Sequence, residues 1–157
     1  MPDRPTYIVT GGAGFVGSGL VAALLARRPR PHVVVIDNFR SGSYANIVEA
    51  CQRRGVGPFG GEVLAESVPE VAWARLLERI RPGAVFHLAA ITDTTVADEA
   101  LMMRENTGGF DALLVHAAEL EVPVVYASSA ATYGTPAQTA RRVPFPTDAA
   151  GSPSNVY

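Results

Sequence analysis

The sequence predicts an α/β fold with a parallel, doubly wound sheet. Strand and helix patterns alternate along the chain, which is typical of a parallel sheet covered by helices on both faces. The glycine-rich segment Thr10–Gly17 lies between the first predicted strand and the first predicted helix. An acidic residue, Asp37, ends the second predicted strand, 20 positions after Gly17. Together these features predict a Rossmann sheet with the strand order 3-2-1-4-5.

The first half of the chain contains two strand–helix pairs. A short apolar run predicts a strand over Thr6–Thr10, and apolar residues at helical spacing predict a helix over Phe15–Arg27. Two prolines end that helix, and four consecutive apolar residues predict a buried strand over His32–Asp37. A polar loop then leads to a predicted helix over Tyr44–Arg54.

The next elements are shorter. A glycine-punctuated connection precedes a predicted third strand, Glu62–Ala65, and a helix is predicted from Val68 to the stop at Arg81-Pro82-Gly83. Trp73 lies on the apolar face of this helix, so we expect it to pack in the core. An apolar run over Ala84–Leu88 predicts the fourth strand.

A long helix is predicted over Asp98–Leu120, followed by a fifth strand over Val122–Ala127. The pair Gly108-Gly109 in the middle of this helix would cost about 1 kcal/mol per glycine unless another segment must approach closely. From Gly134 to Pro153 the chain shows no period, which predicts a long functional loop.

Composition limits the classes of function. A chain of 157 residues with 48% hydrophobic content can bury the core of a single domain. A net charge of −2 favours neither nucleic acid nor an anionic membrane as partner. The lone Cys51, predicted on a surface helix and not as a catalytic thiol, excludes an internal disulfide. Without a signal peptide or an apolar run of ~18 residues, the expected location is the cytoplasm.

The glycines of the first loop each have a physical task. Gly12, Gly14 and Gly17 form G-x-G-x-x-G, and Gly11 extends the pattern. Such glycines permit a tight turn, close backbone approach to a pyrophosphate, and packing of helix against strand. The phosphates would contact unpaired N–H groups at the helix N-terminus. The alternative is an ordinary strand–turn–helix unit with a solvated Asp37.

Hydroxyl groups follow the fourth and fifth predicted strands, where open α/β sheets place their ligand crevice. They belong to Thr92, Thr94, Thr95, Ser128, Ser129, Thr132 and Tyr133, and Tyr157 follows at the last position. A tyrosine can transfer a proton if a nearby positive charge lowers its pKa, and a serine can hold the substrate oxygen beside it. The serines could equally satisfy loop backbone groups. His87 is expected to be a packed histidine, and no histidine pair has ligand spacing, so no metal is predicted.

Five stretches carry a family resemblance: TGGAGFVGS, VIDNFRSG, FHLAA, YASSAATYG and PSNVY. The chain resembles the extended short-chain dehydrogenase/reductase family, which contains nucleotide-sugar epimerases and dehydratases. Its motifs are most similar to those of the ADP-glycero-manno-heptose 6-epimerases. The alternatives within the family are UDP- or dTDP-sugar 4-epimerases and dehydratases, although Ala130–Thr132 lacks the acidic pair usual in dehydratases. A non-catalytic dinucleotide-binding module is a further alternative.

The resemblance implies roles for particular residues. Ser129 and Tyr157 would be catalytic, and Thr94, Thr95 and Ser129 would contact the substrate. Asn106 would support the backbone of the active site, and Glu62 stands where many members hold the adenine with an aspartate. The other cofactor-binding residues would be Gly11, Gly14, Phe15, Val16, Gly17, Asp37, Asn38, Leu88, Ala89 and Ala90.

The resemblance also implies a reaction, a cofactor and partners. One tightly bound NAD or NADP would take a hydride from a nucleotide-sugar and return it to the opposite face. Asp37 favours the free ribose hydroxyls of NAD, whereas Arg40 could pair with the 2′-phosphate of NADP. The full-length protein is expected to be a homo-oligomer.

The family pattern Y-x-x-x-K is incomplete here, because Tyr157 is the last residue. The lysine, the later strands and the substrate-binding part are missing. Residues 1–157 are therefore interpreted as an incomplete cofactor-binding domain, and the chain alone is expected to be inactive.

Overall fold

The computed structural model describes residues 4–93 and 95–129. In that part of the chain, five parallel strands form one sheet in the order β3-β2-β1-β4-β5, which confirms the predicted order. The strands are β1 Thr6–Thr10, β2 His32–Ile36, β3 Glu62–Leu64, β4 Ala84–His87 and β5 Val124–Tyr126. The helices are α1 Phe15–Leu25, α2 Tyr44–Arg54, α3 Trp73–Ile80, α4 Glu99–Thr107 and α5 Phe110–Glu119, with a 3₁₀ turn at Val68–Glu70.

The central strands are buried on both faces, which explains why their sequences are continuous apolar runs. One face of the sheet packs against α1 and α2, and the other packs against α3 and α5. Alternate residues supply the two layers: Val33 and Val35 face the first layer, while Val34 and Ile36 face the second. Trp73 is buried in the second layer, as expected for a packing residue.

The parallel register brings the ends of the strands to one edge of the sheet. Thr10 at the end of β1 lies opposite both Ile36 at the end of β2 and His87 at the end of β4. Ile36 in turn lies opposite Leu64 at the end of β3. The loops that follow these four strands therefore meet at the carboxyl edge, where a ligand site is expected.

The predicted helix from Val68 is wrong at its start. A 3₁₀ turn at Val68–Glu70 is followed by a break, and α3 begins only at Trp73. The Val68 carbonyl accepts from the Val71 N–H at 3.3 Å and from the Trp73 indole N–H at 3.3 Å. The Val68 carbonyl thus accepts from Val71 and from the indole, and not from the N–H four residues later as it would in an α-helix.

The single long helix predicted over Asp98–Leu120 is also wrong, because two helices occupy this range. Asp98 caps α4 by accepting from the Leu101 N–H at 2.9 Å, and the break falls at Gly108-Gly109. Gly109 has φ +81°, and a Cβ there would lie 2.7 Å from the Val68 carbonyl oxygen. The 3₁₀ turn is therefore the segment whose close approach requires these glycines.

Smaller differences concern the ends of elements. The first helix ends two residues early, and the second, third, fourth and fifth strands are each shorter than predicted by one to three residues. Within the part of the chain that the structure describes, no helix has the length and apolar character needed to cross a bilayer.

Candidate functional site

A cavity of about 470 Å³ lies at the carboxyl edge of the sheet, among the loops that follow β1, β2, β3 and β4. Its volume lies within the range of about 300–1,000 Å³ that is usual for cofactor and small-molecule sites. Ten of the residues predicted to bind a cofactor line it: Gly11, Gly14, Phe15, Val16, Gly17, Asp37, Asn38, Leu88, Ala89 and Ala90. The fold thus brings together three sequence segments that are far apart in the chain.

The glycine loop is packed too tightly for side chains. Gly11 has φ +66°, and a Cβ there would lie 2.8 Å from the Ala89 backbone nitrogen. A Cβ on Gly17 would overlap the Gly11 carbonyl oxygen. These contacts hold the start of α1 against the loop and against the end of β4.

The N-terminus of α1 faces the cavity. Gly14 is its N-cap and has no side chain to satisfy the first N–H groups, which an α-helix leaves without intrahelical partners. Phe15 and Val16, in the first turn, line the cavity and are 90% and 67% exposed. Unpaired N–H groups at the positive end of a helix dipole can hold an anion such as a diphosphate.

Asp37 is buried at the end of β2, and both of its oxygens accept backbone hydrogen bonds. Oδ2 accepts from the Ala13 N–H at 2.9 Å, and Oδ1 accepts from the Phe39 N–H at 2.9 Å. The carboxylate is therefore held in one position on the cavity wall, with lone pairs left for a ligand.

The loop after β2 is tied to the loop after β3. Asn38 accepts from the Arg40 N–H at 3.0 Å and donates from Nδ2 to the Ser67 hydroxyl at 2.9 Å. Arg40 and Ser67 both line the cavity, as does Glu66.

Glu66, and not Glu62, is the acidic residue that β3 brings to the cavity. Glu62 starts the strand opposite Val34, in the middle of β2, and it is not among the residues that line the cavity. There it pairs with Arg79 at 3.2 Å. The position of Glu66 just past the third strand could have revealed it, because carboxyl ends carry the ligand loops.

A hydroxyl at the end of β1 fixes the loop after β4. Thr10 Oγ1 accepts from the N–H groups of Leu88 and Ala89, both at 3.1 Å, and lies 2.9 Å from His87 Nδ1. The Leu88 N–H is shared with the Thr10 carbonyl, to which it donates at 3.2 Å.

His87 is a packed residue, as expected. It is buried, its ring stacks on Phe110 with centroids 4.9 Å apart, and burial lowers its pKa. Cys51 differs from the expectation: it lies on α2 but faces the core, and burial raises the pKa of its thiol despite the nearby Arg30. In the described ranges, no group of three His, Cys, Asp or Glu side chains could hold a metal.

Asn106 supports the backbone of the cavity wall from α4. Its Oδ1 accepts from the Ile91 N–H at 2.6 Å, and its Nδ2 donates to the Ile91 carbonyl at 3.2 Å. Ile91 itself lines the cavity. Asn106 thus acts on the site through the main chain of Ile91.

The predicted catalytic and substrate residues are only partly described. Thr94 and Tyr157 lie outside the described residues. Thr95 donates its hydroxyl to Asp93 at 2.6 Å, and hydrogen bonds from Thr95, with a smaller contribution from Arg40, lower the pKa of Asp93. Ser129 is half-buried and follows β5 on the carboxyl side of the sheet, but it is not among the residues that line the cavity.

Comparison with known proteins decides the family. A sequence model of the NAD dependent epimerase/dehydratase family matches residues 7–157. The chain belongs to this family. The resemblance to nucleotide-sugar epimerases is thereby confirmed.

The relatives include heptose epimerases. The ADP-L-glycero-D-manno-heptose-6-epimerase of Alkalilimnicola ehrlichii is 40% identical over 131 residues, covering 81% of this chain and 37% of the relative. The crystal structure of the Helicobacter pylori enzyme of that name has a TM-score of 0.79 and 35% identity, covering 100% of this chain and 49% of the other. This chain therefore spans less than half of the length of each of these relatives.

A further solved structure holds a cofactor. The Bordetella bronchiseptica enzyme WbmG, in complex with NAD, matches with a TM-score of 0.78 and 28% identity, covering 99% of this chain and 46% of the other.

Proposed function

We propose that this chain is the NAD-binding part of a nucleotide-sugar epimerase whose substrate is an ADP-heptose. One observation carries the proposal: an uncapped helix N-terminus, a tightly packed glycine loop and a fixed carboxylate meet on the wall of a single cavity. The heptose epimerases among the relatives support the choice of substrate.

The residues that line the cavity fit a dinucleotide. The backbone of Gly14, Phe15 and Val16 would hold the diphosphate at the start of α1. Asp37 would accept from the adenosine ribose hydroxyls, and Glu66 lies where the adenine amine could donate to it. Leu88–Ala90 would line the other ribose. When bound, the nicotinamide would accept a hydride from the sugar and return it.

We propose NAD as the preferred cofactor over NADP. Asp37 is buried and held by two backbone N–H groups, so it cannot swing away from a ribose that carries a 2′-phosphate. A carboxylate at hydrogen-bonding distance from a phosphate repels it strongly. Arg40 lies on the exposed rim of the cavity, where solvent weakens its attraction for the same phosphate. The buried charge should therefore decide the preference.

Acid–base chemistry is assigned to Ser129 and Tyr157 as a proposal that rests on the family pattern. Ser129 would hold the substrate oxygen, and the Tyr157 hydroxyl would take and return its proton. On the same family pattern, we propose that Thr94 and Thr95 contact the substrate and that the longer protein assembles into oligomers.

Calorimetric titration of the chain with NAD and NADP tests the proposal. We expect NAD to bind one per chain, at least about tenfold more tightly than NADP, since one extra unfavourable contact of about 1.4 kcal/mol gives that factor. The variant Asp37→Ala should lose most of this preference, and Glu62→Ala, at a residue that does not line the cavity, should keep it. If NAD does not bind, or if NADP binds more tightly, the proposed cofactor role is wrong.

A further inference from the structure

The glycine loop is held in place by the connection between β2 and α2 and by the first turn of α2. Ala13, in the middle of the loop, is fully buried. Its N–H donates to Asp37 at 2.9 Å, and its carbonyl accepts from the Ser43 N–H at 3.0 Å and from Asn46 Nδ2 at 2.7 Å. Both lone pairs of the carbonyl and its only N–H are thus bonded to residues of the β2–α2 connection and of α2.

The start of α2 lies directly on this loop. A Cβ on Gly42 would lie 2.8 Å from the Ala13 carbonyl carbon, so the two backbones are in contact. Ser43 caps α2 by accepting from the Ala45 N–H at 3.2 Å, which places Asn46 one turn into a well-formed helix. The Asn46 amide is therefore presented to Ala13 from a rigid element.

The orientation of the Ala13 peptide affects the phosphate site, because the next residue is Gly14, the N-cap of α1. A rotation of this peptide would turn Gly14 and the first N–H groups of α1 away from the cavity. Asn46 makes the shorter of the two bonds to the Ala13 carbonyl, which belongs to the peptide that joins Ala13 to Gly14. It is not among the residues that line the cavity.

We propose that Asn46 is a positioning residue for the diphosphate of the cofactor. It acts through the Ala13 carbonyl and touches no part of the dinucleotide. The role rests on the proposed function, because it presumes that the loop binds NAD. If Asn46 has this role, the affinity for NAD depends on a side chain of α2 that does not line the cavity.

Two substitutions of Asn46 test the role. In Asn46→Ala the donor to Ala13 is lost without any added charge, and NAD should bind about fivefold more weakly to the folded chain. In Asn46→Asp a carboxylate oxygen faces the carbonyl oxygen, and NAD should bind at least about tenfold more weakly. The Kd for NAD is measured by calorimetry, and circular dichroism and urea unfolding give the folded fraction and its stability.

The matched control is Gln52→Glu, which makes the same amide-to-carboxylate change at an exposed position of α2. It should keep the Kd of the unaltered chain. A merely structural role for Asn46 would lower the stability of Asn46→Ala and leave the Kd of its folded fraction unchanged, and that result would overturn the inference. Should Asn46→Asp not fold, Asn46→Ala decides alone. Failure of the unaltered chain to bind NAD would instead refute the proposed function, and the positioning role with it.

Discussion

Single residues at the carboxyl edge are held through the main chain. Asp37 bonds Ala13, Thr10 bonds the backbone after β4, and Asn106 bonds Ile91 on both its N–H and its carbonyl. Each polar side chain is thus satisfied by loop backbone groups, which would otherwise be buried at a cost of about 1–3 kcal/mol each. The cavity wall is therefore ordered before any ligand arrives.

The burial of His87 leads to a prediction for how the free energy of unfolding depends on pH. Burial lowers the pKa of His87 below its ordinary value of 6.5. Near that pH, His87 is therefore protonated more often in the unfolded chain than in the folded chain. The free energy of unfolding should fall as the pH drops below about 6.5, by at most about 1.4 kcal/mol per pH unit. His87→Phe, which keeps an aromatic ring against Phe110, should lack this dependence.

Urea unfolding between about pH 7.5 and about pH 5.5 measures the effect. The control is His32→Phe at the exposed start of β2, which should keep the slope of the unaltered chain. An unchanged slope in His87→Phe would show that another group titrates in this range.

Helix α1 connects the packing of the fold to the site at the level of elements. Its first turn supplies the N–H groups of the proposed phosphate site, while Val21, Leu24 and Leu25 anchor its later turns in the core. Because one rigid helix does both, a small shift at its start should affect stability and binding together. Gly17 is the point at which this helix touches the glycine loop.

Two glycines of α1 offer a matched pair of substitutions. Gly17→Ala should lower the free energy of unfolding by about 1–3 kcal/mol, because its Cβ would overlap the Gly11 carbonyl. It should also weaken NAD binding by at least about tenfold. Gly19→Ala meets no atom within 4 Å and should be neutral or stabilising by up to about 1 kcal/mol.

Urea unfolding and NAD calorimetry on the two variants separate these outcomes. Equal stability of Gly17→Ala and Gly19→Ala would contradict the close contact between α1 and the glycine loop.

Over the whole molecule, the described residues form a sheet with a cofactor-type cavity, matching half or less of each longer relative. All 13 basic residues of the sequence are arginines. The lysine that the family pattern places four residues after its tyrosine therefore has no counterpart within residues 1–157.

We therefore expect the chain alone to bind NAD but not to epimerise a nucleotide-sugar. Incubation with NAD and an ADP-heptose, followed by NMR of the sugar, should show no change in stereochemistry, with the Helicobacter pylori enzyme as the positive control. Turnover by a verified 157-residue chain would refute this expectation.

Most of the fold could be predicted because its signals are local. Continuous apolar runs predicted the central strands β1 and β2, which are buried, and the glycine loop with Asp37 indicated which edge would carry the ligand. The helix break at Gly108-Gly109 was harder to place, because its cause is the backbone at Val68, 40 residues earlier. No local pattern contains that contact.

The sequence by itself determined the parallel sheet, its strand order, the glycine loop and ten residues of the cavity wall. Only the tertiary structure decided that Glu66 reaches the cavity instead of Glu62, that Thr10 and His87 are hydrogen-bonded, and that Asn46 holds Ala13. The physical reason is that hydrophobic periodicity is written along the chain, whereas a hydrogen bond depends on which distant segments folding brings within about 3 Å.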